Sequence, residues 1–100
     1  MTVYEHCHRC DIYFQALSKW GLANQLLVAI EEMSEVQKAI TKLVRANNPE
    51  ADLDNLIEEI ADATIMLEQL RYIYGIDDEV EAMMDKKILR LEERVSNGTV

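Results

Sequence analysis

Two short stretches of the chain carry the same pattern of acids. Ile30-Glu31-Glu32-Met33-Ser34-Glu35 and Ile57-Glu58-Glu59-Ile60-Ala61-Asp62 each read Ile-Glu-Glu, an apolar residue, a small residue and an acid. On a helix turning about 100° per residue, Glu32 and Glu35 stand one turn apart and border an apolar stripe. Glu59 and Asp62 take the same offset from a second stripe. If the two helices pack antiparallel, these four carboxylates face one another, with Glu31 and Glu58 further out on the same rim. Carboxylates brought together repel, and burial raises their pKa values further. A divalent cation relieves both penalties, and hard oxygen ligands in this number suit Mg²⁺ or Mn²⁺. Such a centre typically holds phosphates and activates a water molecule.

The plain alternative is two solvated acidic faces, common on any Glu- and Lys-rich helix. The matching phase, the matching offset and the small residue before each final acid (Ser34, Ala61) favour a shared site. Favourably spaced lysines are also missing, since the positions four residues after Glu32 and Glu35 are Val36 and Ala39. A di-iron centre would need Glu-x-x-His pairs on facing helices, and the two histidines, His6 and His8, lie far from both acid pairs in sequence.

The elements that must carry these acids are helices. The chain of 100 residues has one proline, three glycines and 49% hydrophobic residues, which favours long regular elements in one domain, residues 1–100. A first helix is predicted from Val3 to Trp20, stopped by Gly21. A second runs from Leu22 to Arg45, with Leu26, Ile30, Met33, Gln37, Ile40 and Val44 as its stripe. Ala46 to Pro49 reads as a turn. Asp52 or Asp54 can cap a third helix, whose broad apolar face carries Leu53, Leu56, Ile57, Ile60, Ala63, Thr64, Leu67, Leu70 and Tyr74, and which Gly75 ends. Asp77 can cap a fourth helix running to about Val95, with Val80, Met83, Met84, Ile88, Leu91 and Val95 as core candidates. Residues 96–100 read as a frayed tail. The fold class is therefore all-α, a four-helix, antiparallel, bundle-like arrangement. Surplus apolar surface on the first and third helices predicts a homo-oligomer, dimer or tetramer.

A net charge of −9 argues against nucleic-acid polymers, whose binding needs many Lys and Arg contacts to phosphate. It leaves room for a small anionic ligand bridged through a metal. No apolar run approaches a membrane span and MTVYEHCHRC holds no long apolar leader segment, so a soluble, cytoplasmic protein without a membrane partner is expected. Within HCHRC, Cys7 and Cys10 form an isolated C-x-x-C, which reads as reduced cysteines packing as small apolar residues rather than as a zinc or redox site.

The segments KWGLANQLLVAIEEMSEVQKAITK, LIEEIADATIMLEQL and KKILRLEER resemble the MazG-like nucleoside triphosphate pyrophosphohydrolases of the all-α NTP pyrophosphatase superfamily. The resemblance spans about Phe14 to Arg94. It implies Mg²⁺-dependent hydrolysis of a nucleoside triphosphate to the monophosphate and pyrophosphate, in nucleotide-pool housekeeping. It implies Glu32, Glu35, Glu59 and Asp62 as metal ligands, and Glu31 or Glu58 as the outer carboxylate that orients or deprotonates the attacking water. Lys87 and Arg90, with Arg94 on the same face, correspond to the family's phosphate-contacting basic helix; a solvated face paired with nearby acids is the plain alternative. Trp20 and Gln25 fall where family members line the nucleotide pocket, although packing the end of the first helix would equally explain Trp20. Lys38 and Lys42 are expected at the surface. The rival readings are a non-catalytic helical oligomerisation module, and phosphoribosyl-ATP pyrophosphohydrolase, which has the same chemistry on another substrate.

Overall fold

Gly21 makes the first bend. Its φ of 82° lies in the left-handed region that glycine enters without steric cost, and it separates two helices by a single residue. In the computed structural model, which describes residues 3–98 and the side chains of residues 8–98, four helices follow in order. They are α1 (Val3–Trp20), α2 (Leu22–Arg45), α3 (Pro49–Tyr74) and α4 (Asp77–Asn97), with no strand among the described residues. No helix among them is long and apolar enough to cross a membrane.

The remaining boundaries have local causes, and some differ from expectation. Ala46 closes α2 in the left-handed conformation, with its N–H donating to Lys42 and Leu43. Asn48, rather than Asp52 or Asp54, caps α3, its side chain accepting from the Ala51 N–H at 3.4 Å. Pro49 opens this helix instead of belonging to the turn, because the first helical position has no use for the N–H that proline lacks. Glu50 and Asp52 fill the first turn, where negative charge suits the helix dipole. Asp77 does not cap α4. It is the first helical residue, and its carboxylate instead accepts from Arg71 at 3.0 Å. Helix α4 continues through Ser96 and Asn97 to Gly98, so only Thr99 and Val100 of the expected tail lie outside the described residues.

The centre of the fold is the antiparallel α2–α3 hairpin; α1 lies against both helices and α4 touches α3 alone. The hairpin does not pack through its large apolar stripes. Ala29 and Ala39 of α2 and Ala63 and Met66 of α3 are buried, Ala39 completely. The expected core stripes are only partly inside: Leu26, Met33, Leu56 and Leu70 are half-buried and Ala63 is buried, but the bulky Ile30, Ile40 and Val44 on α2, the last at 80%, and Leu53, Ile57, Ile60 and Leu67 on α3, with Ile57 at 60%, are exposed. Small side chains let two backbones approach closely, so the alanine-bearing faces meet and the bulky stripes turn outwards. The expected core positions of α4 are likewise exposed, Val80 excepted.

Polar ties fix the outer helices. Arg9 of α1 pairs with Glu68 of α3 at 3.0 Å, beside Tyr13, whose ring stacks at a tilt on Tyr72 with centroids 6.2 Å apart. Burial, followed by the neighbouring Glu68 carboxylate, pushes the Tyr13 hydroxyl up to about 12. Arg71 holds the start of α4 through Asp77 and Glu81, at 3.0 and 2.9 Å, and reaches the Met84 thioether.

Candidate metal centre and adjoining cleft

Near the middle of the hairpin the alanine faces give way to acids. Glu32 from α2 and Glu59 and Asp62 from α3 each offer a carboxylate oxygen, all within 4.8 Å of one another. Glu32 and Glu59 are partly buried and Asp62 is exposed, so the cluster sits at the hairpin surface with one side turned inwards. Both inner acids resist ionisation. The Glu32 carboxyl is raised above the usual carboxylate range by burial first, then by Asp62, Glu59, Glu35 and Glu31. Glu59 is raised by burial, then by Glu35, Asp62 and Glu58, with Lys42 partly offsetting them. Glu32 Oε2 has a further distinction. Among the described residues it is the side-chain polar atom that is both sealed from solvent and without a hydrogen-bond partner. A buried acceptor left unpaired is costly, and more so when charged.

Glu35 does not join the cluster. Lys38, three residues on, draws its carboxylate to 3.4 Å, so the expectation that no lysine serves this acid fails. That expectation considered only the fourth residue after each acid, whereas the third also shares the face. Lys42, expected to be a simple surface residue, reaches the Glu59 carboxyl electrostatically. Glu58 is exposed and adds charge beside Glu59.

Beside the cluster lies a cleft of about 520 Å³ between α1, α2 and α3. Its lining unites three residues singled out from the sequence, Trp20, Gln25 and Glu31, with Ala16, Asn24, Met66 and Gln69 among others. Asn24 donates to the Trp20 carbonyl at 2.7 Å, and Lys19 Nζ stands 5.5 Å from the indole centroid. At the buried wall Gln69 Nε2 donates to Gln25 Oε1 at 2.6 Å, with the two residues 5% and 3% exposed for Gln25 and Gln69 respectively. Gln25 precedes Glu32 by seven residues and Gln69 follows Asp62 by seven. On antiparallel helices, amide pair and acid pair are therefore two turns, about 10.5 Å, apart on both strands of the hairpin.

Gln69 is the site residue that sequence reasoning missed. Its signal was a glutamine on the same face as Asp62, at the same two-turn step from an acid as Gln25. Lys87 and Arg90 are exposed on α4, and among the described residues no hydrogen bond or ion pair links them to the cluster. Cys10 is partly buried, while the Cys7 and His6 side chains lie outside the described residues. Compared with known proteins, the chain has no significant match to a family model, a curated protein or a solved structure.

Proposed function

We propose that the protein is a divalent-cation-dependent nucleoside triphosphate pyrophosphohydrolase, releasing pyrophosphate from (d)NTP, as the MazG-like motifs imply. The observation that carries this reading is the orphaned Glu32 Oε2 within a three-carboxylate cluster. An unpaired buried carboxylate oxygen flanked by two further acids fits a cation better than it fits a structural role. Oxygen donors alone suit Mg²⁺, or Mn²⁺, over softer metals. When bound, such an ion polarises phosphoryl oxygens and lowers the pKa of water.

The remaining work falls to the chain. Glu32, Glu59 and Asp62 form the ligand set. Glu35 is a fourth donor once it exchanges its exposed Lys38 partner, a weak tie of the surface kind. Of the two outer carboxylates, Glu31 is the better placed to orient and deprotonate the attacking water, because it lines the cleft and borders the cluster. The cleft holds the nucleoside, with Trp20 offering an indole for stacking. Lys87 and Arg90 act on phosphate only if α4 of a second copy, or a shifted α4, brings them near. That need agrees with the homo-oligomer expected from the exposed apolar stripes.

The test is a panel of dNTPs and NTPs incubated with Mg²⁺ and followed for pyrophosphate. Pyrophosphate release that Asp62→Asn abolishes, with the far-ultraviolet helix signal retained, is the expected result. Release of orthophosphate alone, or full activity in the variant, overturns the assignment; no release from any triphosphate favours the non-catalytic module.

A further inference from the structure

The amide pair at the wall of the cleft is half used. Each glutamine carries a two-proton donor and a carbonyl acceptor, yet one hydrogen bond joins the pair. Gln25 Nε2 and Gln69 Oε1 are the groups that this bond leaves unused, on two residues that line the cleft. Two polar groups more than nine-tenths buried thus face an otherwise largely apolar space with one donor and one acceptor unspent. A ligand bearing an adjacent acceptor and donor completes them.

The pair also has a symmetry. If both amides turn over together, Gln25 Nε2 donates to Gln69 Oε1, and the bond between them is preserved. The groups facing the cleft exchange places: the Gln25 end becomes the acceptor and the Gln69 end the donor. Nucleobase edges come in the corresponding two kinds. Cytosine and adenine set an amino donor beside a ring-nitrogen acceptor; uracil, thymine and guanine set a keto acceptor beside a ring N–H. A rigid donor–acceptor pair would reject the mismatched edge by orders of magnitude, because buried polar groups would be left unpaired.

We propose that Gln25 and Gln69 read the hydrogen-bonding edge of a nucleobase, and that their concerted turnover lets one cleft take both amino-type and keto-type bases. This rests on the nucleotide reading above. The two-turn separation from the acids leaves a span suited to a sugar between base and phosphate. The inference names a substrate class, nucleotides with weak discrimination between the two kinds of base.

Trp20 is the single tryptophan and lines the cleft, so its fluorescence reports occupancy directly. Wild-type protein without metal is titrated with deoxycytidine, thymidine, deoxyadenosine and deoxyguanosine, which lack phosphate. Quenching by deoxycytidine and thymidine with affinities within about tenfold of each other is expected. Gln69→Glu, titrated at alkaline pH where the new carboxylate only accepts, forces Gln25 to turn its amide nitrogen inwards. The cleft then presents acceptors alone, and preference shifts at least about tenfold towards deoxyguanosine, whose edge carries two donors. Gln69→Met weakens all four nucleosides, and helix content by circular dichroism verifies folding of both variants. Unchanged affinities in both folded variants, or a wild-type preference of a hundredfold or more for one kind of edge, overturn the proposal. Triphosphate hydrolysis is scored separately. Nucleoside binding with the expected variant response but no hydrolysis removes the catalytic reading and keeps the base reader. Hydrolysis with a base profile that neither variant alters does the reverse.

Discussion

Glu32 holds one carboxylate oxygen sealed from solvent and without a protein donor, and it shares the pH behaviour of the cluster with Glu59. Its carboxyl and that of Glu59 are both raised by burial and by neighbouring acids. The native state therefore holds these two protons more tightly than the unfolded chain does. Their contribution to stability is full below the ordinary carboxylate range and is lost as pH rises through the raised values. Metal-free protein should melt higher at mildly acidic pH than at neutral pH, with respect to this cluster. Mg²⁺ should add several degrees at neutral pH and progressively less on acidification, as protons compete for the same oxygens. Melting curves with chelator or Mg²⁺ across this range check both signs. A Mg²⁺ shift independent of pH, or absent throughout, would count against the cluster as a cation site. A sharper form uses Glu32→Gln. Removing one of the mutually repelling charges should leave the metal-free melting temperature at neutral pH equal to or above that of wild type, while abolishing the rise with Mg²⁺. A variant that melts well below wild type without metal would mean that Glu32 is structural.

The helices themselves were largely legible in the sequence. Gly21 and Gly75 stop α1 and α3 because only glycine takes a left-handed turn cheaply, and a 3.6-residue apolar period runs between such signals, broken on α2 by Gln37 alone. The convergence of acids was legible for three of the four expected carboxylates, because the pairs Glu32/Glu35 and Glu59/Asp62 repeat at one phase and need only an antiparallel crossing to bring Glu32, Glu59 and Asp62 together; Glu35 stands apart beside Lys38. What periodicity could not tell was which face of α2 meets α3. It marks the largest apolar stripe, Ile30 to Val44, without saying whether the partner of that stripe lies in the same chain. The intrachain contact centres on Ala29, Ala39 and Ala63; Ala63 lies on the expected face of α3, but Ala29 and Ala39 are too small to stand out in an apolar count of α2. Ala39 has no exposed surface, so the hairpin has no room for growth there. Ala39→Leu should cost about 1–3 kcal/mol by overpacking, read as a lower denaturant midpoint. Asn48→Ala should cost about 1 kcal/mol by removing the α3 cap. A neutral Ala39→Leu would mean that the helices cross further apart than the buried alanines require.

A single copy of the chain is open for its length. Its radius of gyration is 16.6 Å, against about 13 Å for a compact domain of this size. Its accessible surface is 7896 Å², where a chain of 11.5 kDa folding alone would present roughly 5,800 Å². The excess, on the order of 2,000 Å², is of the size that obligate homodimers cover. On a helical wheel the exposed stripes of α2 and α3 fall on one side of the hairpin, and Glu31, Glu58 and the cleft on the other. Pairing two hairpins through Ile30, Ile40, Ile57 and Ile60 would therefore bury apolar surface without covering the acids. The prediction is that sedimentation gives a particle of at least two chains. Ile57→Glu with Ile60→Glu should dissociate it and, because α4 is anchored mainly through Arg71, lose much of the helical signal at the same concentration. Wild-type protein that sediments as one chain and scatters with a radius near 16.6 Å would refute the assembly. It would also leave the outward stripes to a different partner.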